Sequence, residues 1–95
     1  MRLAEHLQPV LALLQRAFPT GVPQRDYPAL LVVLQDLLSE ENLAAVVAEL
    51  INSERVVVSN DAAAASSIRR PKREDVEHIR ALLEANGLSS EESEL

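Results

Sequence analysis

The feature of this sequence that most constrains its fold is a nearly unbroken apolar run at residues 29–38, in which only Gln35 and Asp36 are polar. A helix that is apolar over almost its whole surface has to be covered by neighbours on several sides. The run therefore predicts the central helix of a bundle. Val32 falls between the two polar residues on a helical wheel, so it is expected on the more polar side.

A stiff corner at residues 18–28 precedes this helix, because three prolines restrict its backbone and the two aromatic residues of the chain stand near its ends. Asp26 is expected to cap the helix by accepting a hydrogen bond from the Ala29 amide. Arg25 is explained neither by capping nor by the apolar stripe. Arg25, Asp26 and Tyr27 therefore form a candidate partner surface, although the corner can equally serve only as a connector.

Helical periodicity predicts four further helices, at residues 2–17, 40–53, 61–67 and 72–86. Pro9 predicts either a kink in the first helix or a late start. Ser39 is expected to cap the third helix, and Asn86-Gly87 is a stop signal for the fifth.

The fourth helix is expected to be short, because the valine-rich segment before it has the composition of an extended piece. Residues 54–58 are interpreted as a linker whose valines dock on the core, and Ile68 as the apolar anchor of the short helix. The sequence as a whole thus predicts an all-α, single-domain bundle of five helices with a short fourth helix. The domain is expected to cover residues 1–88, followed at 89–95 by an acidic tail that is predicted to be disordered.

Composition excludes several classes of protein. The chain has no cysteine, which excludes disulfides, thiolate metal sites and cysteine nucleophiles and fits a reducing, cytoplasmic location. The formal net charge of −6 disfavours nucleic acid and anionic membranes as partners. No apolar run reaches the roughly 18–20 residues of a transmembrane helix, and polar residues interrupt the N-terminal apolar patch, so no signal peptide is expected.

The residues that often carry chemistry do not form a recognisable site. His6 lies at the edge of its helix's apolar stripe and His78 well off its own, which is typical of solvated histidines. The acidic pairs at residues 40–41 and 74–75 stand at predicted helix N-termini, where the helix dipole explains them. No catalytic residue, metal ligand or cofactor-binding residue is therefore assigned, and the chain is not expected to be an enzyme.

Positive charge is concentrated in one place, which we call the basic cluster: Arg69, Arg70, Lys72 and Arg73. It joins the fourth predicted helix to the fifth, as in a helix-turn-helix nucleic-acid binder. The helix that would read DNA opens with Glu74, Asp75 and Glu77, which disfavours this alternative. A solvated basic linker and a docking patch for an acidic protein are the other interpretations.

The segment Phe18-Pro19-x-Gly21-Val22-Pro23-x-x-Asp26-Tyr27 resembles the corner of a small actinobacterial family, best known from mycobacteria and classed as a domain of unknown function. The resemblance covers nearly the whole chain. It implies a monomeric bundle of five helices, and it supplies no catalytic residues. The sequence is therefore interpreted as a small soluble module that binds an unknown protein as an adaptor or regulator, with the nucleic-acid binder as the alternative.

Overall fold

The computed structural model describes residues 3–88 of the chain, and these residues form five α-helices with no strand among them. The helices are α1 (Gln8–Ala17), α2 (Tyr27–Gln35), α3 (Glu40–Ile51), α4 (Arg55–Ser67) and α5 (Arg73–Ala85). The predicted all-α bundle of five helices is confirmed. The predicted tail at residues 89–95 lies outside the described residues.

The helix built from the apolar run, α2, is the centre of the bundle. It packs against α3, α4 and α5, and Leu30, Leu31 and Val33 are completely buried. Val32 does not face water freely, because it is half-buried against the core. The prediction that this helix is covered on several sides is therefore confirmed.

Pro9 sets the start of α1. A single 3₁₀ turn, Glu5–Leu7, comes first, and Pro9 then lies in the first turn of α1. A proline in the first helical turn removes no hydrogen bond, since the amides there have no intrahelical acceptor. Of the two expectations for Pro9, the late start is the one observed.

The corner before α2 is held by Pro23 and not by an aspartate cap. The amides of Asp26 and Tyr27 both donate to the Pro23 carbonyl, at 2.9 and 3.2 Å. Asp26 therefore has helical dihedrals (φ −90°, ψ −16°), and its carboxylate makes no capping hydrogen bond. The predicted Asp26 cap is wrong, because a side chain reaches the first-turn amides only from an extended backbone. Ser39 has that backbone, and its Oγ accepts from the Asn42 amide at 3.2 Å, as predicted.

The largest difference from the sequence-based expectation is α4, which is a continuous helix of 13 residues that begins at Arg55. The prediction of a linker at residues 54–58 and a short fourth helix is wrong. Val58 is completely buried and its amide donates to the Glu54 carbonyl. Packing against α2 and α3 outweighs the modest helix penalty of β-branched residues.

The buried residues of α4 are Val58, Ala62 and Ala65, at helical spacing. The prediction that Ile68 is the apolar anchor of this helix is wrong, because its side chain is 83% exposed. Ile68 lies one residue beyond Ser67, the last residue of α4, and does not continue the buried stripe of that helix.

The end of α5 follows the predicted stop signal. Gly87 has φ +116°, its amide donates to the Glu84 carbonyl, and the Leu88 amide donates to the Leu83 carbonyl. These two bonds form a Schellman motif, which requires a left-handed residue. Leu88 folds back onto the core. Arg16, near the end of α1, donates to the Asn86 carbonyl at 3.0 Å and so connects the end of α1 to the end of α5.

Candidate functional site

The three residues of the predicted partner surface at the corner point in different directions. Arg25 is exposed and has no hydrogen bond or ion pair to another residue within 3–88. Asp26 is half-buried. Tyr27 turns inward, and its hydroxyl donates to Oδ2 of Asp61 on α4 at 2.9 Å. The corner therefore leaves Arg25 to solvent, whereas Tyr27 joins α2 to α4.

The environment of Tyr27 raises the pKa of its hydroxyl well above the ordinary value. Burial is the main cause, because it penalises the phenolate; the hydrogen bond to Asp61 and the charge of that carboxylate add to the effect. The folded protein therefore holds the Tyr27 proton more tightly than the unfolded chain does.

This difference predicts a pH dependence of stability. The stabilisation that Tyr27 gives the folded state is fully present below the pKa of an unfolded tyrosine, about 10. It is lost as the pH rises toward the higher pKa that Tyr27 has in the folded protein. The free energy of unfolding of the wild type is therefore expected to fall above pH 10, and less steeply in Tyr27→Phe. Urea melts at pH 8, 10 and 11 measure both slopes. Equal slopes in the two proteins would contradict a raised pKa.

A second set of polar contacts between α2 and α4 was not visible in the sequence. The side-chain nitrogen of Gln35, Nε2, donates to the Ala62 carbonyl at 3.0 Å. The Ser66 hydroxyl donates to the side-chain oxygen of Gln35. Gln35 was only a polar interruption in an apolar run. Its partners lie on α4, about 30 residues further along the chain, and no local pattern connects them.

The basic cluster lies in the turn between α4 and α5 (Arg69, Arg70 and Lys72) and at the first residue of α5 (Arg73), and all four of its side chains are exposed. Arg70 uses its Nε to donate to the Ser66 carbonyl at 3.1 Å. Arg73 pairs with Glu77 at 3.4 Å on the surface of α5. An exposed pair of this kind contributes at most about 1 kcal/mol. It also pairs only one of the four positive charges of the cluster, so the cluster stays positively charged.

Two clefts open beside the basic cluster. The larger, which we call the α4–α5 cleft, has a volume of about 290 Å³ and is lined by Val32, Ala65, Ser66, Arg70, Pro71, Arg73 and Val76. The smaller has a volume of about 80 Å³, and its lining includes Tyr27, Asp61 and Arg69. The structure thus brings one residue of the corner, Tyr27, to the same cleft as one residue of the basic cluster.

The helices on either side of the basic cluster are not packed as a helix-turn-helix pair. The α4 helix packs against α3 and α2, α5 packs mainly against α2, and α4 and α5 have little contact with each other. The first turn of α5 carries Glu74 and Asp75, both exposed. The helix that would enter a DNA groove therefore carries two carboxylates directly after Arg73, its first residue.

The described part of the chain does not bring chemistry-bearing side chains together. Within residues 3–88 there is no group of three or more His, Asp or Glu side chains placed to hold a metal ion. His6 and His78 are both exposed, as the sequence indicated. No helix in the same range is long and apolar enough to cross a bilayer.

These features define a small all-α bundle with a central apolar helix and one exposed basic surface. Residues 5–92 match the family described as Protein of unknown function (DUF3349), and the chain belongs to this family. No match was found among curated proteins or among solved structures. The predicted actinobacterial origin, and the predicted role of the corner motif as the mark of the family, stay predictions.

Proposed function

We propose that the chain is a non-enzymatic protein-interaction module, an adaptor or a regulatory subunit, that binds its partner through the end of α4 and the basic cluster. The observation that carries this proposal is the exposure of Ile68. Its side chain is 83% exposed and stands directly before Arg69 and Arg70. Arginine is enriched at interface centres, and the core of an interface is more apolar than its rim, so an exposed isoleucine beside two arginines supplies both features.

The other large apolar side chains that are exposed within residues 3–88 lie on the same helix. Val56 is 61% and Val57 42% exposed, at the start of α4. Ile68 differs from them because the next two residues, Arg69 and Arg70, are positively charged and each lines one of the two clefts. The end of α4 is therefore favoured over its start as the contact surface.

The nucleic-acid alternative has less support. The acidic residues in the first turn of α5 and the small contact between α4 and α5 both disfavour a helix-turn-helix reader. We expect no duplex DNA binding tighter than about micromolar at physiological salt, the range of non-specific binding.

The test is quantitative capture of cross-linked partners inside the cell of origin, with the full chain as bait. Ile68→Ser and Arg69→Glu plus Arg70→Glu are expected to lose a protein that the wild type captures. Arg55→Glu is the matched control, because it reverses a charge at the opposite end of α4. All variants should keep their melting temperatures within about 2 °C, since exposed substitutions rarely change stability much.

The outcomes separate the function from its location. If Ile68→Ser loses the captured protein and Arg55→Glu keeps it, the result supports both the proposed function and the proposed surface. A further variant, Arg25→Ala, tests the corner. If it alone loses the captured protein, the module binds through the corner, and the proposed surface at the end of α4 is wrong. If no protein is reproducibly cross-linked to the wild type, the proposed function is wrong.

A further inference from the structure

The α4–α5 cleft combines an apolar floor with a basic rim. Its floor is formed by Val32 of α2, Ala65 of α4 and Val76 of α5. Each of these residues is buried or half-buried against the core, so the floor is a fixed part of the bundle. A cavity of about 150 Å³ is enough for a benzene molecule. The cleft, at about 290 Å³, therefore has room for one leucine-sized side chain.

The rim is positively charged. Arg70 and Arg73 line the cleft, and no carboxylate lines it. Arg70 donates to the Ser66 carbonyl through Nε, so its terminal nitrogens are available to a ligand. Arg73 shares its guanidinium with Glu77 in an exposed pair, and a ligand carboxylate can replace that weak contact. Lys72 is exposed between the two arginines and adds to the charge.

We propose that this cleft binds an acidic peptide segment of a partner protein, which inserts one branched apolar side chain between Val32 and Val76 and places flanking carboxylates on Arg70 and Arg73. This rests on the proposed function and names the chemistry of the partner. Arginine binds carboxylates through paired hydrogen bonds. The turn between α4 and α5 contains Pro71, so the rim loses little conformational freedom on binding.

Charge and shape favour a peptide over other anionic partners. The whole chain carries a net charge of −6, which repels nucleic acid and anionic lipid surfaces over their large contact areas. A short acidic segment is affected mainly by charges within about 8 Å, because salt screens those further away. The charged residues that line the cleft are Arg70 and Arg73, whereas the nearby Glu77 is paired with Arg73. The apolar floor would contact nothing in a free phosphate. The smaller cleft is a poorer candidate, since its lining includes Asp61.

The experiment is a titration of the isotopically labelled protein with a synthetic peptide, Glu-Asp-Glu-Leu-Glu-Asp-Glu with blocked ends, followed by NMR. The amide signals of Val32, Ala65 and Val76 are expected to shift. Replacing the peptide leucine with serine should weaken binding about fivefold or more, since a buried leucine contributes more than 1 kcal/mol. Replacing the peptide's acidic residues with their amides should weaken it about tenfold.

Protein variants locate the site. Arg70→Glu plus Arg73→Glu is expected to weaken binding by at least about tenfold, since each reversed charge repels a carboxylate. Arg70→Gln plus Arg73→Gln, which keeps side-chain size, should give a smaller loss in the same direction. Arg25→Glu plus Arg55→Glu is the matched control with the same change in net charge, and it should change affinity less than about twofold.

Several results would overturn the inference. In the NMR titration, these are the absence of amide shifts at millimolar peptide, or shifts confined to the smaller cleft or the corner. In the affinity comparisons, they are equal binding of the leucine and serine peptides, or a loss of affinity in the control variant equal to that of the cleft variant. Such a result combined with Ile68-dependent capture in cells would leave the proposed function standing. Specific binding of the peptide in the cleft without any captured protein would instead contradict the proposed function, whereas the inference that the cleft binds an acidic peptide would stand.

Discussion

Leu34→Ala is expected to lower the free energy of unfolding by about 2–5 kcal/mol, which is the usual cost of removing a buried leucine side chain. Leu34 is 1% exposed near the end of α2. Its helix packs against α3, α4 and α5. The cavity left by the substitution is therefore walled by several helices and cannot collapse without moving them, which favours the upper part of the range. Chemical denaturation followed by circular dichroism measures the change.

The matched control for this prediction is Leu37→Ala, because it makes the same chemical change just beyond the end of the same helix. Leu37 is only half-buried, so less apolar surface and a smaller cavity are involved. Its cost is expected to be clearly lower, about 1–2 kcal/mol. A Leu34→Ala loss below about 0.5 kcal/mol, the size of a surface substitution, would contradict the central position of α2.

The sequence predicted those parts of the fold that local chemistry decides. The apolar run at residues 29–38 could form only a covered helix, and α2 is covered by three neighbours. Ser39 and Gly87 act through a short side chain and a left-handed backbone, and both mark helix ends where expected. Pro9 allowed two outcomes, and only the placement of the residues around it could decide between them.

Two predictions failed because other residues outweighed a local preference; these residues are distant in the chain in one case and only three positions away in the other. Residues 54–58 have the composition of a strand, but α2 and α3 bury Val58, and this packing makes the segment helical. The Asp26 cap failed because the Pro23 turn keeps the backbone helical through that residue. In both cases the local preference was real and a neighbouring segment outweighed it.

The candidate site was predictable only in its composition. The exposure of the basic cluster follows from its charge, and all four of its side chains are exposed in the structure. The α4–α5 cleft, in contrast, needs Val32, Ala65 and Val76 from three helices. The exposure of Ile68 was missed because its spacing from the buried Ala65 suits an inward position, whereas α4 ends at Ser67.

The start of α4 can be tested directly with valines that differ in burial by position on the helix. Val58→Ser is expected to lower the free energy of unfolding by about 2–3 kcal/mol, through the loss of a fully buried apolar side chain. Val58 is 0% exposed and lies under α2 and α3. The new hydroxyl can donate to the Glu54 carbonyl one turn earlier, which limits the added cost of burying a polar group.

Val56→Ser is the matched control, because it makes the same change two residues earlier on the opposite side of α4. Val56 is 61% exposed, so the expected loss is within about 0.5 kcal/mol. In a linker whose valines dock together on the core, both substitutions would cost similar amounts. A large difference between the two therefore requires helical register at residues 55–58. Equal losses in denaturant melts would return this segment to the extended linker that its composition suggests.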